Sequence, residues 1–274
     1  MHLPASLRRL VAVLAVGLPA LAAAQGSAPK AAAPEKAAAS AKMSPEEVLR
    51  HIDSRMSFAS DFKSTVRMRE VRKDGSESLL EMLVYRRDSS KDLLIYITKP
   101  RTIAGGGYLR IGKNLWEYEP GTGQWQRTTQ RGNIVNTIAC EEDFDRSRLA
   151  ENYDVKDEGE EVVKGTVFRK LYLTVKEGQQ VSFPMLRLWV DPSYNIVKRS
   201  GYAPSGRVLR TDVIRSYQKL KDPGANQKEV YSIKEVLEVE EGEGTQLTVR
   251  YDEVELAPLS PNIFTKTWLE GKLR

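Results

Sequence analysis

The sequence contains one cysteine, Cys140, and two histidines in 274 residues. Because an internal disulfide needs two cysteines, none can form, and stability must come from packing. His51 is the single histidine beyond the N-terminal segment, so histidine-based catalytic triads and metal sites built from several histidines are nearly excluded. We therefore expect no catalytic residues, no metal site and no cofactor.

The motifs of common hydrolases are also missing. The nucleophile pattern G-x-S-x-G does not occur, and Ser60 to Lys63 matches S-x-x-K without the S-D-N and K-T-G motifs that accompany it in penicillin-binding enzymes. The acidic groups at 141–143 and 238–243 lack the spacing of an EF-hand, and we interpret them as a helix N-terminus and a solvated turn. The sequence thus favours no enzymatic reaction.

Charge of one sign is not in large excess, since 42 Lys and Arg accompany 37 Asp and Glu, for a formal net charge of +5. The two kinds of charge are interspersed along the chain. A nucleic-acid-binding domain instead concentrates its basic residues on one face or stripe. We therefore expect no nucleic-acid partner.

A long apolar run occurs at the N-terminus, where Arg8 and Arg9 precede small and aliphatic residues. The pattern predicts a signal peptide over residues 1–24, cleaved after Ala24, and hence a protein exported across the inner membrane. A retained membrane anchor is the alternative. Pro19 interrupts the run, however, and the run is short for a membrane span.

Residues 25–42 are rich in Ala, Pro and Lys, contain no large apolar side chain, and predict a disordered linker. The remaining residues, 43–274, are enough for one domain with a core. This domain begins with helix signals, because Ser44 can cap a helix, Pro45 suits its first position and Glu47 completes a capping box. We expect the helix to run to about residue 58.

Strand patterns separated by short turns fill most of residues 62–256, in twelve segments. Strands joined by short turns pair antiparallel, so the sequence predicts a mainly β (α+β) fold with one large meander. The pattern is interrupted at residues 129–152, where acidic residues precede basic ones as a helix dipole prefers. A second helix there would, together with the first, cover a curved sheet.

The stretch GYLRIGKN, residues 107–114, reads G-x-x-x-x-G-K and suggests a nucleotide-binding P-loop. A P-loop continues with Ser or Thr and a helix, whereas Asn114 follows the lysine here. The flanking residues also alternate in polarity, as they do in strands. The stretch therefore predicts a β-hairpin with a two-residue turn at Gly112 and Lys113, the glycine supplying the positive φ of a type II′ turn.

This turn fixes the register of the hairpin. Leu109 pairs with Trp116, and Gly107 pairs with Tyr118. Because directly opposed residues share a face, Leu109, Ile111, Trp116 and Tyr118 lie on the same side of the sheet.

In two segments, 79–85 and 93–97, apolar residues occupy both faces of the predicted strand. A sheet with one face in water needs apolar residues on the other face only. Ordinary burial under a helix or loop and an apolar cavity for a hydrophobic ligand both account for this pattern. For the second case, the candidate cavity residues are Leu83, Tyr85, Leu94, Tyr96, Leu109, Ile111, Trp116, Tyr118 and Leu188.

The central hairpin also carries a resemblance to a known family. The residues concerned are Pro100, Gly105, Gly107, Leu109, Arg110, Gly112, Asn114, Trp116, Tyr118 and Pro120. Their order resembles that of the LolA-like family, the periplasmic outer-membrane lipoprotein-sorting proteins. The start helix, the pair Asp143-Phe144, the turn at 191–195 and the ending at 263–269 fit the same family, so the resemblance covers most of residues 43–270.

The resemblance implies a half-open antiparallel barrel with a helical lid, whose apolar concave face shelters the acyl chains of a lipoprotein or lipid in the periplasm. It also implies two partners, a transporter in the inner membrane and an acceptor at the outer membrane. Arg110, Arg127 and Arg131 are candidates for contact with an anionic headgroup or with a partner. Glu141 and Glu142 stand where related sequences tend to carry a Gly-Ser pair, which leaves the cargo open.

Three functions remain. The first is a periplasmic carrier of lipid or lipoprotein, in which each buried CH₂ of an acyl chain contributes about 0.8 kcal/mol. The second is a non-enzymatic sensor or regulatory domain that binds a lipoprotein or membrane-protein segment in the same groove. The third is an enzyme. Bound lipid and transfer between membranes indicate the first, a stable protein partner the second, and turnover the third.

Overall fold

The structure, a computed structural model, describes residues 42–128 and 133–272. The predicted signal peptide, all of the predicted linker except Lys42, and Arg131 lie outside these residues. Within them the chain forms one antiparallel sheet of 13 strands and three short α-helices. The strands are β1 (Phe62–Val71), β2 (Glu77–Arg87), β3 (Asp92–Lys99), β4 (Gly107–Ile111), β5 (Asn114–Glu119), β6 (Gln124–Thr128), β7 (Tyr153–Val163), β8 (Thr166–Val175), β9 (Met185–Val190), β10 (Ile196–Tyr202), β11 (Val208–Asp222), β12 (Lys228–Glu240) and β13 (Gln246–Leu256).

The sheet consists of two meanders joined in the middle. Its order is β6-β5-β4-β3-β2-β1-β13-β12-β11-β10-β9-β8-β7, so that neighbours in the sheet are also consecutive in the sequence except where β1 pairs with β13. The sheet curls without closing, since β6 and β7 are its two ends. The expected half-open antiparallel barrel is thereby confirmed. The segment between β6 and β7 joins the two ends of the sheet.

The first helix, α1 (Pro45–Arg55), begins as its sequence signals predict. The Glu47 N–H donates to Ser44 Oγ at 3.2 Å, and the Ser44 N–H donates to the Glu47 carboxylate at 2.7 Å. The buried side chains of α1 pack on the face formed by β8, β9 and β10. They are Val48, Leu49 and Ile52. The predicted helix is therefore confirmed, although it ends at Arg55, three residues before the predicted end, and it covers one half of the concave face.

Residues 133–148, here called the cover segment, lie over the other half. They contain 3₁₀ turns at Ile134–Asn136 and Glu141–Phe144, and a four-residue helix, α2 (Leu149–Asn152), follows. Phe144 is 1% exposed and packs with side chains of β1–β5, β12 and β13. The second helix predicted within 129–152 is only partly present, since the acidic residues 141–143 form a 3₁₀ turn and the α-helix is limited to Leu149–Asn152.

The outer face of the first meander is covered by the C-terminal residues. After a 3₁₀ turn at Pro261–Phe264, helix α3 (Lys266–Gly271) places Leu269 in a buried cluster with Tyr85, Leu94, Leu109 and Tyr118. In β4, Tyr108 belongs to the inner cluster and Leu109 to the outer one, as the alternation of a strand requires. This meander is therefore buried on both faces, which explains why its strands are apolar at both parities.

One strand, β7, was not among the twelve segments that the sequence predicted as strands. Its sequence, YDVKDEGEEVV, is dominated by acidic side chains, and most of its residues are exposed. Charged side chains are typical of strands at the edge of a sheet, where they discourage pairing with other chains. The strand signal in the sequence was weak for this reason.

Candidate functional site

A cavity of about 640 Å³ lies on the concave face. The end of α1, the cover segment with α2, the β4–β5 hairpin, the end of β6 and strands β9–β13 line it. Its lining combines apolar side chains, among them Met56, Ile214, Ile233 and Val236, with basic and acidic side chains both inside the cavity and at its rim. Pockets of about 300–1,000 Å³ are the size that encloses a small organic ligand.

A group of five charged side chains, four of them buried and Arg199 partly exposed, is here called the ion cluster and forms part of the cavity region. Its members are Asp143 in the cover segment, Arg199 in β10, Arg210 and Asp212 in β11, and Glu238 in β12. Arg210 Nη2 lies 2.5 Å from Asp143 Oδ1, and Arg210 Nε lies 2.9 Å from Asp212 Oδ1. Arg199 Nη2 lies 2.6 Å from Asp212 Oδ2 and 3.2 Å from Asp143 Oδ1. The cluster thus ties the cover segment to the sheet.

The two acids at the ends of the ion cluster have opposite electrostatic environments. Burial alone would raise the pKa of Asp143, but Arg210 and Arg199 outweigh it and hold that pKa well below its usual range. Burial raises the pKa of Glu238 well above its usual range; Arg210 and Arg199 oppose the rise, and the carboxylates of Asp143 and Asp212 add to it. Glu238 therefore takes up a proton at a higher pH than Asp143 does.

Glu238 also corrects a sequence prediction. Residues 238–243 were interpreted as a solvated turn, yet Glu238 lies inside β12, is 2% exposed and lines the cavity. Alternation along β12 places Val236 and Glu238 on the concave face. The reason for the error is that β12 extends to Glu240 before the turn begins.

The raised pKa of Glu238 predicts a pH-dependent effect of Glu238→Gln. A folded-state pKa above the unfolded value means that the folded protein holds the extra proton, so wild-type stability falls as pH rises from about 4.5 through the folded pKa. The slope approaches about 1.4 kcal/mol per pH unit. Glutamine has no such proton. The free energy of unfolding of the variant, relative to that of the wild type, should therefore rise by at least about 1 kcal/mol between pH 4 and pH 7.

Urea denaturation of both proteins from pH 4 to pH 8 measures this gain. Glu255→Gln, at an exposed position of β13, serves as the matched control and should run parallel to the wild type. Parallel curves for Glu238→Gln and wild type would show that Glu238 ionises normally in the folded protein.

The cover segment is held by further polar contacts at the rim. Arg110 in β4 is buried and forms ion pairs with Glu141 and with Asp145, the latter at 3.0 Å. The Ser182 N–H donates to the Glu142 carboxylate at 3.1 Å. Tyr251 Oη donates to the Asp143 carbonyl oxygen at 2.7 Å. The glutamate pair that departs from the family pattern therefore fastens the cover segment in place.

Of the three arginines predicted to contact a headgroup or partner, two line the cavity. Arg110 is engaged in the ion pairs just described. Arg127, at the end of β6, is exposed at the rim, and no ion pair joins it to any residue that the structure describes. Arg131 falls in the gap at 129–132. Contact of any of them with a ligand remains a prediction.

The nine apolar candidates lie elsewhere. Leu109, Tyr118, Tyr85 and Leu94 belong to the outer cluster beneath α3, with Leu83 and Tyr96 packed against them. Trp116 has Lys266 Nζ 3.9 Å above its ring, Ile111 is 45% exposed, and Leu188 packs beneath α1. All nine are among the described residues, and none of them lines the cavity. Their role in binding stays a prediction.

The structure adds residues that sequence reasoning did not select. Ile214, Ile233 and Val236 line the cavity, and each lies in a segment that was predicted as a strand. Strands β11 and β12 carry a charged residue at every second or third position. Their sequences therefore did not indicate which set of alternate residues faces the concave side. The buried polar side chains on the inner parity, Asp212 and Glu238, were the available signal.

Two further properties concern the described ranges, 42–128 and 133–272. No group of three or more His, Cys, Asp or Glu side chains in these ranges is arranged to hold a metal ion. The helices in the same ranges are all too short or too polar to cross a membrane.

Comparison with known proteins identifies a family. A family model described as an uncharacterized protein family matches residues 89–271, which is more than half of the chain. A search of curated proteins found no match.

Solved structures resemble the chain over nearly the whole described domain. A LolA superfamily protein from Nitrosomonas europaea has 20% identity and a TM-score of 0.70, with 83% of this chain and 100% of that chain covered. A DUF1329 family protein from Desulfovibrio piger has 18% identity and a TM-score of 0.71, with 82% and 97% covered. An outer membrane lipoprotein-sorting protein domain from Vibrio parahaemolyticus has 18% identity and a TM-score of 0.69, with 82% and 98% covered. At these identities the likeness establishes the fold.

Proposed function

We propose that the chain, which belongs to a family of uncharacterized proteins and has a LolA-like fold, is a periplasmic, non-enzymatic carrier. It shelters the acyl chains of a lipoprotein or lipid in the cavity of its half-barrel and passes the cargo toward the outer membrane. The observation that carries the proposal is the cavity of about 640 Å³ between the concave face and the cover segment. One solved structure with this fold is described as a lipoprotein-sorting domain.

The energetics of the cavity suit a carrier. Each acyl CH₂ that leaves water for an apolar wall contributes about 0.8 kcal/mol. Met56, Ile214, Ile233 and Val236 provide such a wall. A chain of moderate length therefore binds with useful affinity, while the polar rim remains in contact with water. Non-directional burial of this kind holds the cargo without a covalent or charged attachment, which makes release feasible.

Loading and release require the cover segment to move. It is attached through a few polar contacts, among them Asp143 with Arg210 and Glu141 with Arg110, and through the buried Phe144. Breaking these contacts would join the cavity to the apolar face beneath Phe144 and enlarge the space for a second chain. In this proposal an inner-membrane transporter and an outer-membrane acceptor supply and receive the cargo.

Filling the cavity should abolish uptake. We expect Ile214→Trp to weaken binding of a fluorescent acyl probe by about tenfold or more, because the indole occupies space that the chain needs. Fluorescence titration of the purified full-length protein measures this. Organic extraction followed by mass spectrometry should likewise find acyl species in the wild type and not in the variant.

Two further variants distinguish binding in the cavity from binding on the outer face of the sheet. Val213→Trp changes the neighbouring residue of β11, which is exposed, and should leave uptake unchanged. Trp116→Glu tests the outer face predicted from the hairpin, and loss of uptake in that variant alone would place the lipid under α3 instead of in the cavity. A clean extract with no probe uptake would contradict the carrier and favour a domain that binds a protein segment.

A further inference from the structure

The charged side chains of the cavity lining are unevenly distributed. Among the described residues that line it, seven are basic and seven are acidic, so the lining as a whole is balanced. One basic side chain, Arg199, lies on the side formed by β10–β12. Four acidic ones accompany it there, namely Asp212 and Glu238 in the strands and Glu142 and Asp143 in the cover segment. The other six basic side chains and three acidic ones lie on the opposite side, here called the basic side.

The basic side is built around the β4–β5 hairpin. Its cations come from the β2–β3 turn, the hairpin itself, the end of β6 and the cover segment. They are Lys91, Arg110, Lys113, Arg127, Arg146 and Arg148.

The three carboxylates of the basic side already have cationic partners. They are Glu141, paired with Arg110; Asp145, paired with Arg110 and Arg148; and Glu151, paired with Arg146 and Lys91. Four cations thus share three carboxylates, and the two further cations of this side give it an excess of positive charge.

These two further cations, Lys113 and Arg127, are exposed at the mouth of the cavity. Lys113 lies in the turn of the hairpin, and Arg127 lies in β6, which pairs with β5 of the same hairpin. Arg127 forms no ion pair with any residue of the described ranges. A concave wall with an excess of one charge raises the local concentration of ions of the opposite charge. The mouth therefore favours an anion.

We infer that the mouth of the cavity binds the phosphate group of an anionic lipid between Lys113 and Arg127, while the acyl chain packs on Ile214, Ile233 and Val236. This inference rests on the proposed carrier function and names the class of headgroup. A phosphodiester has two oxygens that share its negative charge, so it can accept from a lysine and from an arginine at the same time.

The acidic side of the cavity sets the orientation of the lipid. In the reverse orientation the phosphate would lie beside Asp212 and Glu238, whose carboxyl groups repel it or offer it no cation. At the mouth both cations remain in water, where a charge pair is weak and is screened by salt. The headgroup contact therefore selects the cargo, whereas burial of the chain supplies most of the affinity, and release remains feasible.

Four compounds test the headgroup site in the full-length protein. Three carry the same lauroyl chain: lysophosphatidylglycerol, whose phosphate is its only charge; lysophosphatidylcholine, whose phosphate is balanced by choline; and monolauroylglycerol, which is uncharged. The fourth, glycerol 3-phosphate, has the phosphate without the chain. Isothermal titration calorimetry below the concentrations at which micelles form measures each affinity.

We expect the wild type to bind the anionic lipid about tenfold more tightly than the other two lipids. Raising the salt concentration from about 50 mM to about 500 mM should remove most of this preference, because salt screens exposed charges. Glycerol 3-phosphate should show no measurable binding, since it has no chain to bury.

Two variants assign the preference to the mouth. Arg127→Gln should weaken binding of the anionic lipid by about threefold, and Arg127→Gln combined with Lys113→Gln by about tenfold, without effect on monolauroylglycerol. Arg101→Gln is the matched control, because it removes the same charge from an exposed position of the β3–β4 loop that does not line the cavity. It should leave every affinity unchanged, and circular dichroism confirms that each variant is folded.

Each outcome has a distinct meaning. Equal affinity of the wild type for the three lipids, an anionic preference that the double variant retains, or an equal loss in Arg101→Gln would overturn the headgroup site and leave the carrier intact. Binding of glycerol 3-phosphate as tight as that of the anionic lipid would overturn it as well, in favour of a site for free phosphate. Failure of the wild type to bind any of the three lipids would instead overturn the proposed function on which the site rests.

Discussion

Replacing Arg210 with methionine should lower the free energy of unfolding by about 3–5 kcal/mol. Arg210 is 4% exposed and forms ion pairs with Asp143, Asp212 and Glu238. Methionine fills most of the space but leaves Asp143 and Asp212 buried with Arg199 as their remaining cation. The loss therefore reflects uncompensated buried charge, and urea denaturation at pH 7 measures it.

Two further variants show whether charge is the cause. Arg215→Met removes an arginine from the same strand whose side chain is 47% exposed and pairs with Glu235, and it should cost about 0.5 kcal/mol or less. Adding Asp143→Asn to Arg210→Met should recover part of the loss, because it removes one of the stranded charges. Similar costs for Arg210→Met and Arg215→Met would mean that the ion cluster contributes little to stability.

Gly107→Ala should be the most damaging small substitution in the central hairpin, at about 3 kcal/mol. A Cβ at Gly107 would lie 2.1 Å from the carbonyl oxygen of Ile95 and 3.0 Å from Cδ1 of Leu269. The first of these contacts involves backbone of the paired strand, so β3 and β4 must separate to relieve it. Thermal unfolding followed by circular dichroism measures the effect.

Gly121→Ala provides the comparison, because a Cβ there meets nothing within 4 Å. This variant should unfold within about 0.5 kcal/mol of the wild type. An equally small effect at Gly107 would show that the strands around it can shift without cost, and that α3 does not pack as tightly on this face as the structure shows.

Local chemistry explains what the sequence could predict. The turn at Gly112 and Lys113 was assigned from two residues and their flanking alternation, and the observed register pairs Leu109 with Trp116 as expected. Gly112 has a φ of +61°, the conformation for which glycine was invoked. The capping box of α1 succeeded for the same reason, since all of its members lie within four residues of each other.

Long-range packing explains what the sequence could not predict. Parity in the hairpin showed that Leu109 and Tyr118 share a face but not which face is concave. That depends on α3, about 150 residues later, which covers this face. The burial of Glu238 likewise depends on Arg210 and on Asp143, which are distant in sequence and meet only in the folded sheet. Periodicity carries no information about such partners.

The pairing of β1 with β13 has a consequence for how the domain assembles. The middle of the sheet joins residues 62–71 to residues 246–256, so the two meanders remain separate until nearly the whole chain is available. Contacts this distant in sequence require a large loss of chain entropy before they contribute stability, which slows folding. During that delay the edges of β1 and β13 are unpaired, and unpaired strand edges make a partly folded chain prone to aggregation until the last long strand is available.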